Sequence, residues 1–194
     1  MESFRKHSDA GVVYGKAKMI DANGRYIQDY PSAEFDLAKI FQTWLNPVPQ
    51  PSAFFRREVY DRFDGPDETW PFCADFEYWI RVSEKFKFVY MPEYFSCMRT
   101  HPAAKSARLE SLQAVELIRL CEHLTRTKRF TNSGVDPVRA LQGAHFRASA
   151  HFRRSGSKID ALRSYFAYCK NAFSMPVAFY RFSRYALSMM LRRW

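Results

Sequence analysis

Both the charge and the hydrophobic period of this sequence change near residue 106, and that change limits the chain to a two-part fold. Residues 1–106 carry 14 Lys/Arg against 15 Asp/Glu, a net of −1. Residues 107–194 carry 16 Lys/Arg against 5 Asp/Glu, a net of +11, so the second part holds the whole basic excess. A split of this kind marks a domain boundary and directs the basic part toward an anionic partner, either a membrane surface or a nucleic acid. With 47% of its 194 residues hydrophobic and 17% aromatic, the chain has material for one packed domain and a helical appendage.

Before the boundary, strand and helix patterns alternate. Val12, Val13, Tyr14, Met19 and Ile20 give residues 11–20 a strand composition. Asn23-Gly24 is a hairpin turn signal, and residues 25–28 are placed to return antiparallel. Leu37, Ile40, Phe41 and Trp44 recur at helical spacing. Pro47, Pro49 and Pro51 remove donors and exclude the helical region before them, so residues 46–51 are expected as an ordered loop. A short strand over 52–56, a brief helix over 58–63 and a turn over 64–67 follow. A helix over 74–86 comes next, then two strands, 88–91 and 94–98, divided by Pro92.

After the boundary the pattern is helical throughout. Ala114, Leu117, Ile118 and Cys121 share one face. Asp136 as N-cap and Pro137 at the first helical position open a helix to about residue 154, which Gly156 ends. Leu162, Tyr165, Phe166, Cys169 and Phe173 stripe the next helix, and Pro176 opens a last one running to Trp194. The pair 141–154 and 158–173 resembles a tetratricopeptide-type (TPR-like) hairpin. One hairpin cannot bury its own apolar face, so it is expected to pack on the first region. The fold class expected is therefore α/β, a mixed sheet with flanking helices over 1–106, followed by an all-α, basic helical domain over 107–194.

Several function classes fall away. No apolar run approaches the roughly 20 residues of a membrane span. Polar residues follow Met1, so no secretory leader is expected. Cys73, Cys97, Cys121 and Cys169 are irregularly spaced, and His123 beside Cys121 completes no zinc pattern, which reads as reduced thiols in a cytosolic protein.

Four strings occur in a fixed order: VVYGKAKMIDANGR from Val12, QPSAFFRREVYDRFDGPDE from Gln50, ADFEYWIRVSEKFKFVYMPE from Ala74 and MRTHPAAKS from Met98. Together, over residues 4–106, they resemble the distal, acceptor-side half of family-two, GT-A-type glycosyltransferases. These enzymes move a sugar from a nucleotide-diphosphate donor to an acceptor hydroxyl with inversion. Such transfer needs a base for the acceptor's proton. The resemblance implies that Asp75, at the start of its helix, is that base. Helix-terminal amides and the dipole would keep it ionised, and the same position also suits a plain capping carboxylate.

The resemblance further implies that a divalent cation, Mg²⁺ or Mn²⁺, neutralises the departing diphosphate, with His101 of Arg99-Thr100-His101 as one ligand. An ordinary surface histidine before Pro102 is the alternative. Gln50, Trp70 and Phe72 fall by the family pattern near the acceptor cleft, where an amide suits hydroxyls and an aromatic face suits a sugar's C–H face; Trp70 and Phe72 are equally suited to a core.

The family's donor site, with its Asp-x-Asp motif, corresponds to a stretch upstream of Met1, and neither that motif nor a Gly-rich phosphate loop occurs here. The expectation is a truncated or mis-started product, or half of a split enzyme, with little activity alone. The implied partners are a nucleotide-sugar donor and a glycan or lipid-linked acceptor in cell-surface polysaccharide synthesis. A non-catalytic acceptor-binding module is the other reading. In the last helix Arg181, Arg184, Arg192 and Arg193 interleave with bulky apolar residues, which suits an interfacial helix on anionic lipid better than a nucleic-acid groove. A core-packed helix with solvated arginines also fits. Nucleic acid is not expected, and the place implied is the cytoplasm, peripheral on the inner face of the plasma membrane.

Overall fold

A computed structural model of the chain describes residues 2–101, 104, 109–130 and 134–191. The expected boundary at residue 106 and the expected helix end at Trp194 lie outside the described residues. The chain divides into two compact units, Met1–Ile40 with Leu45–Ala107 and Phe41–Trp44 with Arg108–Trp194. No described helix is long and apolar enough to cross a membrane.

The first unit is organised on β1 (Ala10–Ile20), which has three strand partners. It runs parallel to β4 (Lys87–Arg99) over its whole length, from Ala10↔Lys87 to Ile20↔Arg99. A strand has only two edges, so the two short antiparallel strands share the other one. β2 (Tyr26–Asp29) pairs with Lys18–Ile20, and β3 (Ala53–Phe55) pairs with Val12–Tyr14. The first residues of β1 are buried without alternation, as befits a strand covered on both faces. Val12 and Tyr14 join Val48, Val59, Tyr78, Trp79 and Val82 in the unit's core. The helices are α1 (Glu2–Lys6), which the sequence pattern does not announce, α2 (Leu37–Thr43), α3 (Arg57–Phe63) and α4 (Ala74–Ser83). The chain passes into the second unit within α2 and leaves it after Trp44, whose φ of 51° stops the helix.

Two expectations shift. α4 ends at Ser83 rather than at residue 86, because Phe86 packs its ring across Gly11 of β1 and leaves the helical stripe. The two strands expected around Pro92 are one. The pairing steps from Tyr14↔Tyr90 to Lys16↔Tyr94, so Met91, Pro92 and Glu93 all stand against Gly15. Proline's missing donor therefore falls where the ladder is already interrupted. A Cβ on Gly15 would lie 2.6 Å from the Glu93 carbonyl oxygen. Gly15→Ala is expected to cost about 1–3 kcal/mol through this overpacking, seen as a lower thermal midpoint. An unchanged midpoint would show that the bulge yields freely.

The second unit contains α5 (Glu110–Arg126), α6 (Pro137–Arg154), α7 (Lys158–Ala172) and α8 (Met175–Leu191). α6 starts as its sequence dictates: the Asp136 carboxylate accepts the Val138 N–H at 2.9 Å, with Pro137 at the first position. Gly156, at φ 81°, supplies the left-handed turn after it. The α6–α7 hairpin is covered from within its own unit. Ala114 of α5 and Met189 of α8 pack with Ala148, Phe152 and Ala161, and Tyr185 stacks on Tyr165 at 3.9 Å. Phe41 meets Phe130 edge-on, and the Trp44 indole N–H donates to the Ala140 carbonyl at 2.7 Å.

α5 and α6 are tied by a partly buried ion cluster. His151, 4% exposed, lies with Nδ1 2.6 Å from a Glu110 carboxylate oxygen, and Arg154 donates to both Glu110 oxygens. Arg154 Nη2 also lies 2.8 Å from Nδ1. The carboxylate can only accept, so the proton belongs on Nδ1, directed at Glu110. Burial is the larger influence on His151 and pushes it down to about 4, against the pull of Glu110. Burial raises Glu110, but its bonds from Arg154 and His151 outweigh this and hold it below the ordinary range. Folded protein therefore binds fewer protons than unfolded protein below the ordinary histidine value of about 6.5. Stability should fall by about 2–3 kcal/mol as pH drops from 6.5 toward 4. Denaturant titrations across this range check it, and His151→Gln should flatten the slope.

Candidate functional site

The residues implicated by the sequence lie on three parts of the first unit. Asp75 occupies the first turn of α4. Gln50 opens the 3₁₀ turn Gln50–Ser52, and Trp70 and Phe72 lie in the segment before α4. His101 follows the end of β4.

Asp75 is set by a residue that sequence reasoning passes over. Asn46, the first residue of the proline-rich loop, donates from its side-chain amide to a carboxylate oxygen of Asp75 at 3.2 Å. Its own amide oxygen accepts the Val48 N–H at 3.0 Å, and its backbone carbonyl accepts the Tyr30 hydroxyl at 3.0 Å. The loop is correspondingly ordered, with Pro47, Val48 and Pro49 all buried. The one cue in the sequence was the Asn-Pro pair, which announces a turn but not a partner for a carboxylate.

The second Asp75 oxygen accepts the Phe76 N–H at 2.8 Å. Burial raises the Asp75 pKa above the ordinary aspartate value, and the hydrogen bonds from Phe76, its own N–H and Asn46 offset only part of this. The helix terminus alone would lower it. Desolvation wins, and the carboxylate is a stronger base than an exposed aspartate while remaining held in one orientation.

Gln50 is exposed, and its carbonyl accepts the Ala53 N–H. The neighbouring Ser52 hydroxyl is buried, donates to the Lys16 carbonyl and bonds Ser96, pinning this turn to β1 and β4. Trp70 is 8% exposed, whereas Phe72 is half-buried, so Phe72 presents more ring surface to an acceptor. His101 is exposed. Its neighbours fix it to the β1–β2 turn: Arg99 donates to the carbonyls of Asp21 and Ala22, and the Thr100 N–H to that of Ile20.

No protein-family model matches this chain, and no curated protein matches its sequence.

Among the described residues, no three His, Cys, Asp or Glu side chains gather as a metal set. Mg²⁺ and Mn²⁺ prefer several oxygen ligands, which an exposed histidine does not provide. The described residues therefore do not fit a complete site for either ion. Two surface hollows, of about 340 and 350 Å³, lie elsewhere; they are lined from α1, β1, β3, β4 and α3, with Phe54 and Phe55 among the lining residues. Neither contains any of the five sequence-implicated side chains.

Proposed function

We propose that the first unit is the acceptor-side part of an inverting, GT-A-type glycosyltransferase, with Asp75 as the base that takes the acceptor hydroxyl's proton. The observation that carries this reading is the Asp75 carboxylate, raised in basicity by burial and oriented by Asn46 at the head of the proline-rich loop. A capping carboxylate needs no such partner, since backbone amides satisfy it. The order of the four family-like strings supports the same reading. In it, Gln50 and Phe72 contact the acceptor glycan, a nucleotide-diphosphate sugar is the donor, and the donor and metal sites are completed by residues other than those described.

The chemistry assigned to this chain is limited and specific. Asp75 accepts a proton as the acceptor oxygen attacks the anomeric carbon, and Asn46 holds the carboxylate in line during that step. The reading is tested in extracts of the cells that make the protein, by following transfer of labelled sugar from nucleotide-sugar donors to glycan and lipid-linked acceptors. Deleting the gene should remove one transfer product, and restoring the intact chain should return it. An unchanged product profile would sink the proposal.

A further inference from the structure

We propose that α8 is a lipid-binding helix that lies along an anionic bilayer surface, apart from any role in transfer. A helix on the surface of a soluble protein buries one apolar stripe and turns polar residues outward. α8 buries its stripe: Ala178 and Met189 are 2% and 3% exposed, Phe182 packs on Phe166, and Tyr185 stacks on Tyr165. At 3.6 residues per turn these four positions fall within about 60° of arc. The outward side is not polar. Phe179, Tyr180, Leu187 and Met190 are 69%, 59%, 55% and 77% exposed, and they fall within about 100° of arc on a different side of the helix.

The charges choose the occupant of this second stripe. α8 contains no Asp or Glu. Arg184 projects along its edge, with its guanidinium 5.8 Å from the Tyr180 ring and bonded to the Tyr180 hydroxyl. Arg181 follows on the same flank, over Phe173. The sequence continues with Arg192 and Arg193, and residues 107–194 carry a net charge of +11. A second copy of the chain would bring this same positive charge against itself. A nucleic acid would meet the arginines but leave the apolar stripe in water. An anionic membrane surface satisfies both: the apolar side chains enter the boundary between headgroups and acyl chains, and the arginines stay at headgroup level.

The test is cosedimentation of the intact chain with vesicles of phosphatidylcholine alone and of phosphatidylcholine with about 30 mol% phosphatidylserine. Partitioning onto the anionic vesicles should be at least about tenfold stronger, and should weaken as salt shortens the Debye length. The triple variant Phe179→Ser, Leu187→Ser, Met190→Ser leaves the packed stripe intact and should bind at least about tenfold less, with an unchanged thermal melt. Should that variant melt early, Arg181→Gln with Arg184→Gln serves instead, and must weaken anionic binding while sparing any weak neutral binding. Three results overturn the proposal. They are no cosedimentation with anionic vesicles, vesicle binding that both variants leave unchanged, and a concentration-dependent dimer abolished by the serine variant in a chain that ignores vesicles. Salt-sensitive duplex binding without vesicle binding would likewise assign the arginines to nucleic acid.

Discussion

Replacing Asp75 by Asn should lower sugar transfer about 10²–10⁴-fold, the usual contribution of a positioned base, while making the folded protein more stable at neutral pH. The second half follows from burial. The folded-state pKa of Asp75 is raised above its ordinary value of 3.8. The protonated form is thus favoured by folding, and that benefit is present below 3.8 and lost as pH rises through the folded pKa. Above that window the ionised carboxylate works against stability, and asparagine removes the charge while keeping the shape, at the loss of one accepted bond, from Asn46 or from Phe76, which offsets part of the gain. The stability difference between variant and parent should therefore be largest near neutrality and vanish in acid. Denaturant midpoints at both extremes, set beside labelled transfer in extracts of cells that carry each form, measure the pair of effects. A variant that is less stable and less active would make Asp75 a structural cap. A variant with full function would favour the non-catalytic acceptor-binding reading. Asn46→Ala should give a milder loss of transfer in the same extracts, because the base survives but its orientation does not.

Arg81→Ala should destabilise the first unit by about 3–5 kcal/mol, the cost of stranding one member of a buried pair. Its guanidinium meets the Glu77 carboxylate at 2.9 Å, and the two side chains are 17% and 7% exposed. The remaining donors reach the Phe63 carbonyl at 2.6 Å and the Gly65 carbonyl at 2.9 Å. One side chain thus neutralises a carboxylate and closes the turn between α3 and the segment leading to Trp70 and Phe72. Arg81→Lys should recover only part of the loss, since a single ammonium cannot serve that planar fork. Removing both charges, as Glu77→Gln with Arg81→Met, should cost less than Arg81→Ala alone. Urea denaturation followed by aromatic fluorescence reads all three. A loss below about 1 kcal/mol, typical of an exposed pair, would overturn the assignment of this pair as a structural clamp.

Local rules made much of the architecture readable. Asp136, Pro137 and Gly156 punctuate α6 as their backbone preferences require, and Asn23-Gly24 turns the chain between β1 and β2. What depended on distant residues was not readable. Pro92 looked like a strand breaker because its partner, Gly15, is far away in sequence and only the parallel register brings them together. Phe86 looked helical because its packing against Gly11 is equally remote. The same holds for the site. Asp75 is a candidate only through the family resemblance, since its place at a helix start suits a plain cap equally, and Asn46 offered no cue, because an asparagine before a proline looks like any turn residue until the fold sets it against a carboxylate. The direction of the Asp75 shift was hidden for the same reason. Helix position argues for a lowered value, and only the surrounding core reverses it.

The pairing of β1 with β4 also sets an order of events. β1 leaves the ribosome well before β4, and β2, α2, β3, α3 and α4 must all be made before its long parallel neighbour exists. Contacts this remote in sequence close slowly, and an apolar strand awaiting them has unsatisfied edges. The antiparallel pairings with β2 and then β3 can form sooner and would occupy one edge of β1 in the interval. The other edge stays open until residues 87–99 emerge, which makes the nascent chain most vulnerable to mispairing over that stretch of synthesis and gives a chaperone its natural point of engagement.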